Sequence, residues 1–221
     1  MKRYTIHDSK QNKFCTYKND ENNDVVLHED IINILFSHKQ EVHKKLIDLR
    51  GAFLIDHIAI TIIDPGGKVI IFSITPSVEY NLIAHNPWKH DFGFSIKFQK
   101  NNSFYIWEKA YSKKFFNEIK QMKETNHGFT FGFNISKKID SYNLIYSYAT
   151  RNENSDLNDY YHSHVNELSR LGDYAYTLIH NIYKKYNDSD APLPTIDCNR
   201  NYFAKPFLRL IVNNKREGQE I

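Results

Sequence analysis

The sequence predicts an α+β protein, an α/β/α sandwich with a central antiparallel sheet. Three observations carry that expectation. Apolar residues recur at helical spacing near both ends of the chain, around residues 31–49 and 157–186. Between these ends lie two pairs of β-rich runs, each pair joined through a polar turn. A further helical pattern separates the pairs. Strands joined by short turns pair antiparallel, and helices before, between and after them cover both faces of one sheet.

In chain order, residues 1–27 are polar, with the run Lys-Asn-Asp-Glu-Asn-Asn-Asp at 18–24, and read as an arm. Ile31, Ile34, Leu35, His38, Val42, Leu46 and Leu49 then mark one amphipathic helix that ends near Gly51. The runs 57–63 and 68–74 flank Asp64-Pro-Gly-Gly67, where Pro fixes φ and Gly admits positive φ, so they form a hairpin. A helix follows at 77–85, preceded by Pro76, then a loop at 86–91 and a short strand at 95–99. An aromatic strand closes on Trp107. The helix at 111–125 puts Phe115, Ile119 and Met122 on one face and Lys113, Lys114, Asn117, Lys120 and Gln121 outside. Strands at 129–135 and 143–149 meet at the polar turn 136–141. Leu157, Tyr161, Val165, Leu168, Leu171, Ala175, Leu178, Ile182 and Tyr183 form the stripe of one long helix, 157–186. Residues 188–194 break the pattern, and 203–213 form a short apolar patch.

Composition narrows the function classes. An apolar share of 41%, with fifteen Phe and fifteen Tyr, is ample for a packed core. A net charge of +3 without a basic cluster gives no footprint for nucleic acid. Cys15 and Cys198 form no metal or redox motif, and such usage fits a reducing compartment. Charged residues interrupt the amino-terminal stretch, and no run of about 20 apolar residues spans a bilayer, so the expected location is cytoplasmic, away from membranes.

The stretch 104–150 is the most specific part of the chain. Trp107 ends one element, and Gly128-Phe-Thr-Phe-Gly132 opens a strand one helix later. This order resembles the autoinducer-binding domain of LuxR-type quorum-sensing regulators, and the likeness extends over about residues 28–186. The resemblance implies a sandwich of the PAS or GAF type and a buried pocket for a small amphiphilic, acyl-homoserine-lactone-like ligand. It also implies residues. Thr75-Pro76 stands at the family's Tyr-Pro position, and Glu79 or Tyr80 at its Trp. Asp91 stands at the carboxylate that accepts the ligand amide, although Phe92 replaces the Pro after it. Trp107 matches the tryptophan that packs on the ligand, and Gly132 the glycine that leaves room.

Chemistry supports the same positions. A buried amide needs an acceptor for its N–H and a donor for its carbonyl, or its burial costs several kcal/mol, on the order of 2–7. Asp91 accepts, and Thr75, Tyr80 or Trp88 donates. The candidate ligand-binding set is Thr75, Tyr80, Trp88, Asp91, Trp107, Phe129, Gly132 and Ser147. The same aromatics also suit a solid core, and Asp91 also suits a turn cap or a partner for Lys89.

The resemblance further implies partners. The family carries a DNA-reading helix-turn-helix after the sensor. Only 35 residues follow Tyr186, so no sequence-specific DNA binding is expected. A homodimer, or a heterodimer with a full-length regulator, is expected through the long helix, whose stripe alternatively packs on its own sheet. Domains are therefore expected as an arm at 1–27, a sensor at 28–186 and a tail at 187–221. Two other constellations compete. His162 and His164 with Asp159 and Glu167 invite a metal, but residues two apart on a helix do not share a face, and no metal or cofactor is expected. His85, His90 and Asp91 suit acid–base chemistry, which leaves an enzyme as one alternative reading. A protein-interaction module or bacterial effector that keeps the fold without the ligand is the other.

Overall fold

The computed structural model describes residues 24–197. Six strands form one sheet: β1 Val26–Leu27, β2 His57–Ile63, β3 Lys68–Ser73, β4 Phe104–Ile106, β5 Phe131–Ile139 and β6 Tyr142–Thr150. Their order is β1-β3-β2-β6-β5-β4, antiparallel throughout except for the short parallel pairing of β1 with β3. The helices are α1 Ile31–Ser37, α2 Lys39–Leu46, α3 Pro76–Ala84, α4 Ile96–Gln99, α5 Trp107–Ala110, α6 Phe116–Lys123, α7 Leu157–Ser163 and α8 Val165–Tyr183. The expected α+β sandwich is what the chain adopts.

Strand alternation makes two cores. Ile58, Ile60 and Ile62 of β2, with Phe133, Tyr146 and Tyr148, face α2, α7 and α8. Ala59 and Ile63, with Val69, Ile71 and Ala149, face α3, α5 and α6. The apolar stripe of α8 is used on its own sheet: Leu168, Leu171, Ala175, Ile179 and Ile182 are all buried there. Tyrosine tips on β6 find partners on that helix and beyond it. Tyr146 donates to Asp173 at 2.7 Å, Tyr148 to the Leu168 carbonyl at 2.9 Å and Tyr142 to the Ala191 carbonyl at 3.2 Å.

Several elements differ from the pattern expected of the sequence. The first helix breaks at His38, whose Nε2 lies 2.6 Å from the Tyr186 hydroxyl, and α1 and α2 pack separately. The long helix likewise breaks at His164, whose Nδ1 turns to the Tyr160 carbonyl at 2.8 Å. The expected strand at 95–99 is the helical turn α4, because the Ser95 hydroxyl caps it by accepting the Phe98 N–H. The loop 86–91 contains a 3₁₀ turn, Pro87–His90, and the helix expected at 111–125 is α6 preceded by a 3₁₀ turn. Strands β5 and β6 run on through most of the expected turn at 136–141, since Lys137 reaches Asp173 of α8 at 2.8 Å and the chain reverses only at Asp140, with φ 52°. Val26–Leu27, expected in the arm, pairs with Lys68–Val69. Residues 187–196 lie against the core, with Tyr176 donating to the Pro194 carbonyl at 3.0 Å. Cys15, Cys198 and the apolar patch at 203–213 lie outside the described residues. Among the described residues no helix is long and apolar enough to cross a membrane.

Candidate functional site

The site grows from short side chains at the middle of one sheet face. Across five strands, Ser73 pairs with Ala59, Ala59 with Ser147, Ser147 with Asn134, and Asn134 with Tyr105. The next row holds His57, Ala149 and Gly132. Side chains this small leave a hollow between the sheet and its covering helices. It is a cavity of about 20 Å³ whose polar lining is Thr61, Glu79, Asp91, Lys123, Asn134 and Ser147. That volume suits a single water-sized group.

Trp107, the first residue of α5, stands just outside this lining. Its ring rests on Gly132, where a Cβ would stand 2.2 Å from Cε3, so only glycine admits the indole there. The indole N–H donates to Asn134 Oδ1 at 2.8 Å and to Ser147 Oγ at 3.2 Å. The Asn134 amide donates on to the Tyr105 hydroxyl at 3.1 Å, and that hydroxyl to the Gly93 carbonyl at 3.0 Å. The indole plane is thereby fixed from both edges.

Above that plane lies a charge. The Lys123 ammonium sits 4.3 Å from the centroid of a Trp107 ring and 5.6 Å from that of Tyr111. It donates to Asp91 Oδ2 at 2.8 Å, and both residues are buried. Asp91 Oδ1 accepts the Gly93 N–H at 3.0 Å. A buried ion pair survives only with good geometry and further hydrogen bonds, and the aromatic faces add cation–π attraction of about 2 kcal/mol when desolvated. Next to it, Tyr111 donates to Glu124 at 2.7 Å. Burial pushes the Glu124 carboxyl up, against the lowering pull of the Tyr111 hydrogen bond, and burial pushes the Tyr111 hydroxyl well up.

A second pair of buried titratable groups, His57 and Glu79, reaches the same hollow through Glu79. His57 Nε2 lies 3.4 Å from Glu79 Oε1, without hydrogen-bond alignment. Neither ring nitrogen of His57, nor Glu79 Oε2, has a hydrogen-bond partner among the described residues. The His57 ring meets Trp107 edge-on at 6.0 Å and Phe129 at 5.5 Å. His127 stacks on Phe129 from the outer side, and burial is the main cause holding its imidazole below the usual histidine range.

Of the eight residues read from the sequence, Asp91 and Ser147 line this cavity, while Trp107, bonded to Ser147 and seated on Gly132, and Phe129, edge-on to Trp107, stand outside its lining. Trp88 is buried beside Phe94, at 6.4 Å, and does not line the cavity. Thr75 is half-buried just before α3 and also stands outside the lining. Tyr80 points outward against Phe36, and its neighbour Glu79 takes the inner position. Lys123 was missed as a site residue, yet its place four residues after Ile119 puts it on the apolar face of α6. His57, Thr61 and Asn134 were hidden within strand patterns.

The competing constellations come apart. His85 turns to the Asn81 carbonyl at 3.1 Å, His90 stacks on Phe115 at 3.7 Å, and Asp91 serves Lys123. His162 lies against Phe104, away from the Tyr160 carbonyl that His164 meets. Among the described residues, His28, Glu29 and Asp188 stand close enough to share a cation, and the Lys68 ammonium already bridges Glu29 at 3.4 Å and Asp188 at 2.8 Å.

The class that fold and site define is a mixed α+β domain with a buried polar chamber between its sheet and one helical layer. No family model matches the chain, and no curated protein matches it. Solved structures similar to it include two of SdiA. One is SdiA in complex with octanoyl-rac-glycerol, at 13% identity and a TM-score of 0.47, covering 71% of this chain and 65% of that one. The other is Escherichia coli SdiA, at 13% identity and a TM-score of 0.42, covering 69% of this chain and 65% of that one. The chain thus spans just under two thirds of the length of each.

Proposed function

We propose that the chain is an autoinducer-binding-like domain that senses a small amphiphilic molecule in the Trp107 chamber and modulates a full-length regulator by pairing with it. Residues 28–186 form the sensor in this reading. One observation carries it: Glu79, Asp91 and Lys123 are buried together around one cavity, with the buried His57 beside Glu79. Burying ionised groups costs several kcal/mol each, and packed apolar side chains serve a core as well or better. Such a cluster in a hollow is the pattern of a site. A tail longer than the hollow enters only if α3 and α6 part from the sheet, so binding is coupled to a shift of those helices. That shift is the signal in this reading. A dimer uses a face other than the apolar stripe of α8, which its own sheet covers.

Thermal shift against acyl-homoserine lactones and acyl amides tests the reading. A rise in Tm that disappears in Trp107→Phe, which keeps a ring but lacks the N–H, supports the chamber. No rise with any acyl ligand counts against it.

A further inference from the structure

Resting on that reading, we propose that Glu79 is the anchor for the protonated amine of a small ligand, with the aromatic and aliphatic walls of the chamber taking its alkyl part. Glu79 stands on the inner face of α3, only 6% exposed, and its Oε2 has no hydrogen-bond partner among the described residues. A carboxylate so buried requires a cation or several donors. Lys123 does not supply the cation, because its ammonium is committed to Asp91 at 2.8 Å. The other groups acting on Glu79 are two imidazoles, that of His57 at 3.4 Å and out of alignment and that of His127, which burial holds below the usual histidine range. Two carboxylates therefore border one cavity, and one lysine serves one of them.

The walls already show what they accept. Lys123 places an alkylammonium group against a carboxylate and over Trp107 and Tyr111, which is a built example of the same recognition. The cavity of about 20 Å³ admits a head group the size of an ammonium. Val78, Leu82, Phe94 and Ile145 complete the lining with apolar surface, along which a short alkyl chain lies once α3 and α6 part from the sheet. With Lys123 neutralised by Asp91, a second ammonium at Glu79 forms a second neutral pair. An anionic head group meets the charge of Glu79 instead and is rejected. The site therefore selects amines over carboxylates of equal length.

The test uses the whole chain near neutral pH with butylamine, butyramide and butyrate at matched ionic strength. Butylamine at roughly a hundredfold excess over its Kd is expected to raise Tm by about 5 °C or more, with no rise from butyrate. The rise is expected to vanish in Glu79→Gln and to persist in Glu41→Gln, a surface carboxylate control. A rise that survives Glu79→Gln overturns the assignment. If Glu79→Gln fails to fold, the wild type still decides: intermolecular NOEs from the butylamine methyl to Val78 and Leu82 are expected, and their absence overturns the proposal. Should amines fail while acyl amides or lactones raise Tm, the amine anchor falls and the sensor reading stands. Should no member of either series bind, both fall.

Discussion

Lys123 brings a full charge to the apolar face of α6, and three neighbours make that position tenable. Asp91 neutralises it, and Trp107 and Tyr111 replace part of its lost hydration. Removing one partner leaves the other buried and uncompensated. Asp91→Asn and Lys123→Met are each expected to cost about 3–5 kcal/mol, and the double variant clearly less than the sum. Urea unfolding of the four proteins measures this, and additive losses would mean that the two charges do not act as a pair. At this scale the sequence was half legible. Trp107 and Gly132 were named through the resemblance, as a ligand contact and as room for the ligand, whereas the indole itself takes the space over Gly132. Lys123 was not, because lysine on a helix normally marks the solvent face. Glu79 and Tyr80 are adjacent, so the choice between them depended on a rotation of α3 that its weak amphipathic pattern does not fix.

Elements were more legible than their ends. The paired strands β2 and β3 could be placed because Asp64-Pro-Gly-Gly67 fixes a turn chemically, and the Asp64 carboxylate accepts the Lys68 N–H there at 2.8 Å. The breaks at His38 and His164 were not visible, since histidine is no helix breaker and each break depends on a contact made only in the folded chain. Packing of α8 on the sheet is close at one point. A Cβ on Gly172 would stand 2.0 Å from Cδ2 of Tyr146, which is held in place by its bond to Asp173. Gly172→Ala is therefore expected to destabilise by about 1–3 kcal/mol, although alanine is the better helix former. Chemical denaturation checks the sign, and a gain in stability would show that helix and sheet separate easily.

For the whole molecule, the sandwich follows from order and periodicity, while the polar chamber depends on cross-strand register that no local pattern reveals. One consequence is a pH dependence. His127 has an ordinary value of 6.5, and burial lowers it in the folded chain. As pH falls through that value, the unfolded chain takes up the proton first, so this contribution is full above 6.5 and is lost on the way down to the depressed value. Tm is expected to fall between about pH 7 and pH 5, and less steeply in His127→Gln. Equal slopes would remove His127 from the account.

The central claim is that a ligand enters the chamber beneath Lys123 and not the surface. With two tryptophans in the chain, the indole N–H signals in a ¹H–¹⁵N spectrum separate these cases directly. The Trp107 indole N–H donates to Asn134 and Ser147, two polar residues of the lining, whereas Trp88 is buried beside Phe94 at 6.4 Å. On titration with butylamine or an acyl amide, the Trp107 signal is expected to shift in a saturable way while the Trp88 signal holds its position. A Trp107 signal that stays fixed while ligand binds elsewhere would contradict the account.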